Sequence, residues 1–509
     1  MALVPDGALM QRAAAGLAAV CASLLKESRS GVYGGRVTVL AGPGDNGGDA
    51  LYAGARLAAR GADVTAIAAA GDRIHGAGAS ALRAAGGSVL PVTPPRGPDD
   101  TRPDVPPRYD PGYAVRSAIG RADLILDGLL GIGGRGGLRE PFATLAQLAV
   151  NSSGTIVAVD LPSGIDANTG TVDGPAVRAD VTVTFGALKP GLLIDPGAMH
   201  AGVVEFVDIG LKPHLPNTPD TQAAQHRDIA RMLPHPGPES DKYRRGVLGL
   251  LAGSDQFTGA ALLAAGGAVR GGAGMVRLVT AESAAVAVRR EWPEIVVTET
   301  EANTRSGKEF PDGVGRVQAW AAGPGMGTGP DAADRLAGVL GTSVPVLVDA
   351  DGLTVLSQHE GLLPRPAPTL LTPHAGELGR LLGADPADVA ARRAESAREA
   401  ARRYGVSVLL KGSTTVIAPP DGRDPVLVNT TGTSWLATAG TGDVLSGLAG
   451  ALLAQGLLPP QAGLAAAYLH GLAARLAASG LRRRFPGEAP IGASDVVRAL
   501  PAAFRALYH

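Results

Sequence analysis

Thr438-Ala439-Gly440-Thr441-Gly442-Asp443 follows Asn429-Thr430-Thr431-Gly432 and runs into an apolar, small-residue stretch with helical spacing, residues 444–453. A glycine-rich turn that opens a helix presents unpaired backbone N–H groups and the positive end of the helix dipole, a ready anion site. Asp443, at that helix start, can serve as a cap or take a proton from a hydroxyl beside a phosphate. Other polar residues of the second half also stand just after expected strands: Asp351, His374, Glu377 and the run Lys411-Gly412-Ser413-Thr414-Thr415. With the glycine loop Gly323-Pro324-Gly325-Met326-Gly327, they read as a nucleotide-plus-substrate cleft. In the first half, Asn46, Asp127, Asp160 and Ser163 follow expected strands in the same way. Their donors are all oxygen or amide, with no His or Cys cluster, which points to a hard cation and not zinc.

These residues need elements that bring strand ends to one edge. Residues 36–41 form a short β-branched strand, residues 42–49 a glycine-rich turn, and residues 50–60 a helix. Strand, turn, helix is the first unit of a Rossmann-like sheet, although the turn lacks the Gly-x-Gly-x-x-Gly spacing of a dinucleotide site. Strands are expected at 63–70, 123–127, 156–160, 181–185 and 203–207, with a helix at 76–85. Residues 91–111 carry eight prolines and read as an insertion without a core. In the second half, strands are expected at 247–252, 276–279, 319–322, 344–348, 369–371 and 406–410. The predicted fold class is α/β: an N-terminal Rossmann-like three-layer domain and a C-terminal α/β domain. Residues 212–222, with three prolines and no pattern, form the expected boundary.

A chain of 509 residues is too long for one core. A net charge of -1 gives no sign of a polyanion-binding surface, so no nucleic-acid partner is expected. The single cysteine, Cys21, excludes an internal disulfide framework and fits a reducing, cytoplasmic setting. Leu9, Ala13, Leu17, Val20 and Leu24 recur at helical spacing, which favours an amphipathic helix over a signal segment or membrane span.

The runs Gly42-Pro43-Gly44-Asp45-Asn46-Gly47-Gly48-Asp49, residues 127–133 and Val159-Asp160-Leu161-Pro162-Ser163-Gly164 resemble the NAD(P)HX epimerase family. The resemblance implies epimerisation at C6 of a hydrated nicotinamide. It further implies K+ near Asn46, Asp127 and Ser163, substrate at Asp45, Asn46, Gly47, Gly48, Asp49, Gly131, Gly133 and Asp160, and a catalytic role for Asp160. Lys189 also falls at a family motif. Asp45 and Ala50 stand where the family usually has Asn and Gly. The family's Leu-Met-x-x-Ala segment stands at Leu9-Met10-Gln11-Arg12-Ala13, so the helix that normally precedes it is not expected.

Gly440-Thr441-Gly442-Asp443 is similar to the anion hole and catalytic aspartate of the ribokinase-like superfamily. Asp241-Lys242, Thr258-Gly259-Ala260, residues 323–327, Asp349-Ala350-Asp351, Thr372-Pro373-His374-x-x-Glu377 and Lys411-Gly412 narrow the resemblance to ADP/ATP-dependent NAD(P)HX dehydratases. That implies an epimerase domain over residues 1–212 and a dehydratase domain over residues 223–509. Asp443 is the implied base, and Ala260, Gly325, His374 and Asp443 line the hydrate pocket. Lys411, Gly412, Ser413, Thr414, Thr415, Thr433, Thr438, Ala439, Gly440, Thr441 and Gly442 hold ADP or ATP with Mg2+. NADHX and NADPHX are the implied substrates, and a homo-oligomer is expected. The alternative is a ribokinase-like small-molecule kinase whose N-terminal half only binds a nucleotide metabolite.

Overall fold

The structure, a computed structural model, describes residues 7–29, 31–92, 110–300, 310–479 and 487–508; most of the proline-rich stretch, residues 93–109, lies outside the described residues. The chain divides into two compact units, Met1–Asn217 and Thr218–His509.

In the first unit, β1 (Arg36–Ala41), β2 (Asp63–Ala68), β3 (Ser88–Pro91), β4 (Leu124–Gly128), β5 (Thr155–Val159), β6 (Val181–Phe185) and β7 (Val203–Val207) form a sheet in the order β3-β2-β1-β4-β5-β6-β7. Every pairing is parallel. Successive side chains of a strand point to opposite faces. Val37, Val39, Leu124, Leu126, Val157 and Val159 accordingly enter one core cluster, and Leu40, Ile125, Ile156 and Ala158 another. Burial on both faces is why these strands read as continuous apolar runs. The helix Ala8–Arg29 is long and apolar enough to span a membrane by length and composition, yet Ala14, Leu17, Cys21 and Leu25 are buried in this unit's core. The strand order reverses direction between β1 and β4, and open α/β sheets bind ligands at such a switch point.

In the second unit, β8 (Thr221–Ala223), β9 (Val247–Leu251), β10 (Met275–Thr280), β11 (Val296–Glu299), β12 (Ala319–Ala322), β13 (Val346–Val348), β14 (Thr369–Leu371), β15 (Ser407–Leu410), β16 (Thr415–Ala418) and β17 (Val426–Asn429) pair in the order β11-β10-β9-β12-β13-β14-β15-β16-β17-β8. The run from β11 to β15 is parallel, and β16 is antiparallel to both its neighbours. Two helices, Thr258–Arg270 and Thr441–Ala454, cross closely against it. Their small residues allow this: a Cβ at Gly267 would strike the Val444 carbonyl, and one at Gly447 the Ala264 carbonyl.

Two local expectations change. The glycine-rich stretch after β1 is not a turn through Asp49, because the helix already starts at Asp45 (Asp45–Ala58). Gly47 and Gly48 tolerate this since they lie buried against Gly42, His75 and Met10, where a side chain would not fit. The expected boundary also ends earlier, because Thr221–Ala223 pairs with β17 as an edge strand.

Candidate functional site

Register sets the first unit's site. Leu40 pairs with Asp127 and Asp127 with Ala158, while the Asp160 N–H donates to the Val183 carbonyl at 2.8 Å. The ends of β1, β4, β5 and β6 therefore stand side by side. Gly42 allows the loops to close: a Cβ there would overlap the Leu129 carbonyl. Asp127 is fully buried and accepts from the Ser163 N–H (2.8 Å), the Ser163 hydroxyl (2.6 Å) and the Leu129 N–H (3.3 Å). Burial outweighs those donors and pushes its carboxyl up to about 6. The Ser163 hydroxyl also accepts from the Leu130 N–H at 2.9 Å. A Cβ on Gly131 would stand 3.1 Å from the Asn46 side-chain carbon, so Asn46 faces the same loop, and its Nδ2 is buried without a partner. Gly133 lies on that loop but has no neighbour that a side chain would meet.

Asp45, Asp49, Ile132, Asp160, Phe185 and Lys189 contribute to the lining of one cavity of about 560 Å³. Asp160 has φ 64° and Ala350 φ 49°, the two non-glycine residues with positive φ among the described residues. Asp160 follows β5 directly and Ala350 caps the helix Asp351–Gln358; backbone strain of about 1–3 kcal/mol at such positions is commonly retained in functional sites. Asp160 accepts from the Thr184 hydroxyl (3.2 Å), the Phe185 N–H (3.1 Å) and the Lys189 ammonium. Lys189 also donates to Thr184 Oγ1 and the Phe185 carbonyl, both at 3.0 Å. Of the two departures from the family motif, only Asp45 is among the cavity residues. Ala50 is fully buried, with its methyl against Gly128.

The second unit builds a different centre. Gly323, Asp349 and Thr372 each lie one residue beyond their strand, and Asp349 N–H donates to the Ala322 carbonyl (3.0 Å) and Thr372 N–H to the Val348 carbonyl (3.1 Å). Lys411 is drawn in by its own N–H, which donates to the Pro373 carbonyl at 2.8 Å. Its ammonium reaches Asp349 Oδ1 at 2.6 Å and lies 3.7 Å from Glu377 Oε2. Asp349 is 1% exposed, and its second oxygen accepts from the Ser446 hydroxyl at 2.5 Å. Burial alone would lower the Lys411 ammonium, but Asp349, Glu377 and Asp443 leave it raised.

Gly442 meets this group directly, since a Cβ there would lie 3.5 Å from Lys411 Nζ and 4.0 Å from Asp349 Oδ2. The helix Thr441–Ala454 thus points its N-terminus, and Asp443 in its first turn, at the ion pair. Gly440 at φ 85° forms the N-cap, so the turn is made in a conformation that favours glycine. Burial, then Asp349, push the Asp443 carboxyl up to about 7 against the opposing pull of Lys411; Asp351 and Glu377 add to the rise. A base poised near neutrality beside a helix N-terminus is suited to deprotonating a hydroxyl that attacks a bound phosphoryl group.

Gly325 and Ala260 are brought together, and several of the other expected residues bond within their own loops. Gly325 lies against Ala260, because a Cβ would come within 2.7 Å of the Ala260 methyl. Asp351 accepts from the Gly327 N–H at 2.9 Å and fixes the glycine loop. His374 caps the helix Ala375–Leu382, with Nδ1 accepting from Gly376 N–H at 3.0 Å and its ring more than half exposed. Three threonine hydroxyls serve their own loops. Thr415 donates to the Gly412 carbonyl, Thr441 to the Leu436 and Thr438 carbonyls, and Thr433 accepts from Trp435 N–H. Thr414 and Thr415 are buried where β15 turns into β16. Ser413 lies against Gly432, and Ala439 lies in the turn before Gly440.

Sequence reasoning passed over three residues here. Asp349 was within a quoted motif, and its position at a strand end was the available signal. Ser446 sits on the apolar helix with no mark to distinguish it. Arg393 stands 18 positions before Lys411, on the helix Arg393–Tyr404, and donates to the carbonyls of Lys411 (2.6 Å), Leu410 (3.3 Å) and Thr414 (3.2 Å). Arg393→Ala is expected to lower the second unit's unfolding free energy by about 2 kcal/mol, because three buried carbonyls lose a charged donor. Urea denaturation followed by tryptophan fluorescence checks this; an unchanged midpoint would contradict it.

The YjeF-related protein N-terminus family matches residues 6–191, and the NAD(P)H-hydrate dehydratase family matches residues 248–484. The chain is 44% identical over 513 residues to the bifunctional NAD(P)H-hydrate repair enzyme of Mycobacterium leprae, covering 100% of this chain and 96% of that protein. It is 45% identical over 462 residues to the enzyme of the same description from Mycobacterium tuberculosis, with 90% and 86% covered. The crystal structure of the ADP/ATP-dependent NAD(P)H-hydrate dehydratase from Bacillus subtilis, co-crystallised with ATP/Mg2+, is similar with a TM-score of 0.50 at 31% identity. That match covers 58% of this chain and 100% of the other.

Proposed function

Because the chain belongs to the family of bifunctional NAD(P)H-hydrate repair enzymes, we propose that each of its two sites carries one of the two activities. The enzyme epimerises and dehydrates NAD(P)H hydrates, and its dehydratase unit uses ADP or ATP. The observation that carries the dehydratase assignment is Asp443 in the first turn of Thr441–Ala454, beside the Lys411–Asp349 pair.

The hydrate carries a hydroxyl at C6, and hydroxide is a poor leaving group. Asp443 takes the hydroxyl proton, and the oxygen attacks the terminal phosphorus of the nucleotide. Backbone N–H groups of residues 440–442 receive the charge that develops on the phosphoryl oxygens. The bond from that phosphorus to the bridging oxygen breaks and releases the nucleotide shortened by one phosphate. The C6–O bond of the phosphate ester then breaks, assisted by the ring nitrogen lone pair, inorganic phosphate departs, and loss of a C5 proton restores the C5–C6 double bond. Lys411 to Thr415, Thr433 and Thr438 to Gly442 hold the nucleotide, while Ala260, Gly325 and His374 line the hydrate pocket. Mg2+ usually takes one or two carboxylates together with phosphate oxygens. Asp351 and Glu377, near enough to act on Asp443, would supply such carboxylates.

In the first unit, the hydrate occupies the cavity over Asp160 and Lys189, bounded by residues 45–49 and by the loop of Gly131 and Gly133. The oxygen donors of Asp127, Ser163 and Asn46 suit a hard monovalent cation. A fully buried carboxylate whose hydrogen-bond donors are all neutral supports the fit. A K+ ion held there would supply positive charge at the end of β4.

The test is incubation of mixed NADHX epimers with ADP or ATP, following the recovery of reduced-nicotinamide absorbance. Recovery of both epimers is expected. Recovery of one epimer only would remove the epimerase, and no recovery with either nucleotide would remove the dehydratase.

A further inference from the structure

The assignment of the first unit's cavity to the hydrate is the reading that this inference rests on and deepens. Three carboxylates line that cavity, those of Asp45, Asp49 and Asp160, and the last two are in opposite circumstances. Asp160 receives three hydrogen bonds, one of them from the Lys189 ammonium in an ion pair. Asp49 has the reverse environment. Its Oδ1 is buried with no hydrogen-bond partner, and the charged groups that act on it are the carboxylates of Asp160 and Asp45. A carboxyl with one oxygen buried without a donor, beside other carboxylates, favours its protonated form. Burial first, and then Asp160 and Asp45, push it up to about 8. Lys189 and His214 are the other charged or titratable groups lining the cavity, and His75 stands against Gly48 one residue away.

We propose that Asp49 is the catalytic acid of epimerisation, opposite the Asp160–Lys189 pair as base. Environments that separate the protonation of two neighbouring carboxyls assign acid and base between them. C6 of the hydrate carries both a hydroxyl and the ring nitrogen, so it can open as a hemiaminal. Asp160 takes the hydroxyl proton, and that electron pair forms the second C–O bond of an aldehyde. The C6–N bond breaks with its pair going to nitrogen, which takes the Asp49 proton. Rotation about C5–C6 presents the other aldehyde face, and the reverse transfers close the ring as the other epimer. On closure Asp160 returns its proton to the C6 oxygen and the nitrogen returns its proton to Asp49, so the pair resets in every turnover. Loss and re-addition of water at C6 on opposite faces would instead leave the two protons exchanged.

The experiment compares full-length Asp49→Asn and Asp49→Glu with the unaltered enzyme, with folding checked by far-UV circular dichroism. The Asn variant is expected to lose at least about a hundredfold in epimerisation kcat while its KM stays within about threefold, and the Glu variant to recover part of kcat. In the unaltered enzyme kcat falls as pH rises through the Asp49 titration, since the acid form is the active one; the Asn variant lacks that limb. Hydrate carrying a heavy-oxygen label at C6 keeps it through the first turnover in ordinary water. Near-normal kcat in the Asn variant, or a raised KM with kcat intact, overturns the acid role. Early loss of the label overturns ring opening. If the Asn variant does not fold, the Glu variant and the pH limb decide. Absence of epimerisation by the unaltered enzyme is a separate result, which removes the cavity assignment itself.

Discussion

Asp443→Asn is expected to reduce dehydration of the hydrate about a thousandfold while leaving epimerisation at its normal rate. The amide keeps the size of the carboxyl but cannot accept the hydroxyl proton. The two activities reside in separate compact units, so only one should respond. The pH dependence has a definite sign. A base must be ionised, and the Asp443 carboxyl is raised to about 7 by burial and then by Asp349. The unaltered dehydration rate should therefore rise with pH through about 7, and the variant's residual rate should lose that step. The linkage to folding runs the other way. A carboxyl raised in the folded state contributes stability below its unfolded range, near 4, and that contribution is lost as pH rises through about 7. The Asn variant should consequently melt at a higher temperature than the unaltered enzyme at pH 8. Dehydration within tenfold of normal would exclude Asp443 as the base.

Lys411→Met is expected to cost the second unit about 3 kcal/mol and to abolish nucleotide-dependent dehydration. The cost arises from what is left behind. Asp349, at 1% exposure, would retain the Ser446 hydroxyl but lose its only ion-pair partner among the described residues. Glu377 and Asp443 would then repel it without an intervening cation. All three tryptophans, Trp292, Trp320 and Trp435, lie in the second unit, so fluorescence-monitored urea unfolding reports on that unit alone. Adding Asp349→Asn to Lys411→Met should restore most of the stability without restoring activity, because the pair stabilises mainly through its mutual dependence. A Lys411→Met single variant as stable as the parent would show that the ion pair is dispensable for folding.

Much of this was legible in the chain because its signals are local. The apolar runs ending in Leu126, Val159 and Val348, each followed directly by an aspartate, mark strand ends in a parallel sheet. Small residues leading into Thr441–Ala454 mark a helix start that can face an anion. The sequence could therefore nominate Asn46, Asp127, Asp160, Lys411 and Asp443, and it could place them at one edge of each sheet. Register and long-range contact were beyond it. Nothing local says that Arg393 ties the Lys411 loop or that Ser446 reaches Asp349. Nor does anything local say that the Thr415, Thr433 and Thr441 hydroxyls turn back to the backbone of their own loops. Protonation state was the other missing quantity. Asp49 and Asp160 are the same residue type near the same strand edge, and only the fold supplies three donors to one while burying an oxygen of the other with none. The sequence by itself determined which side chains are available for chemistry. The tertiary structure decided which of them are charged, because desolvation and partners depend on what is brought near, and not on what is adjacent in the chain.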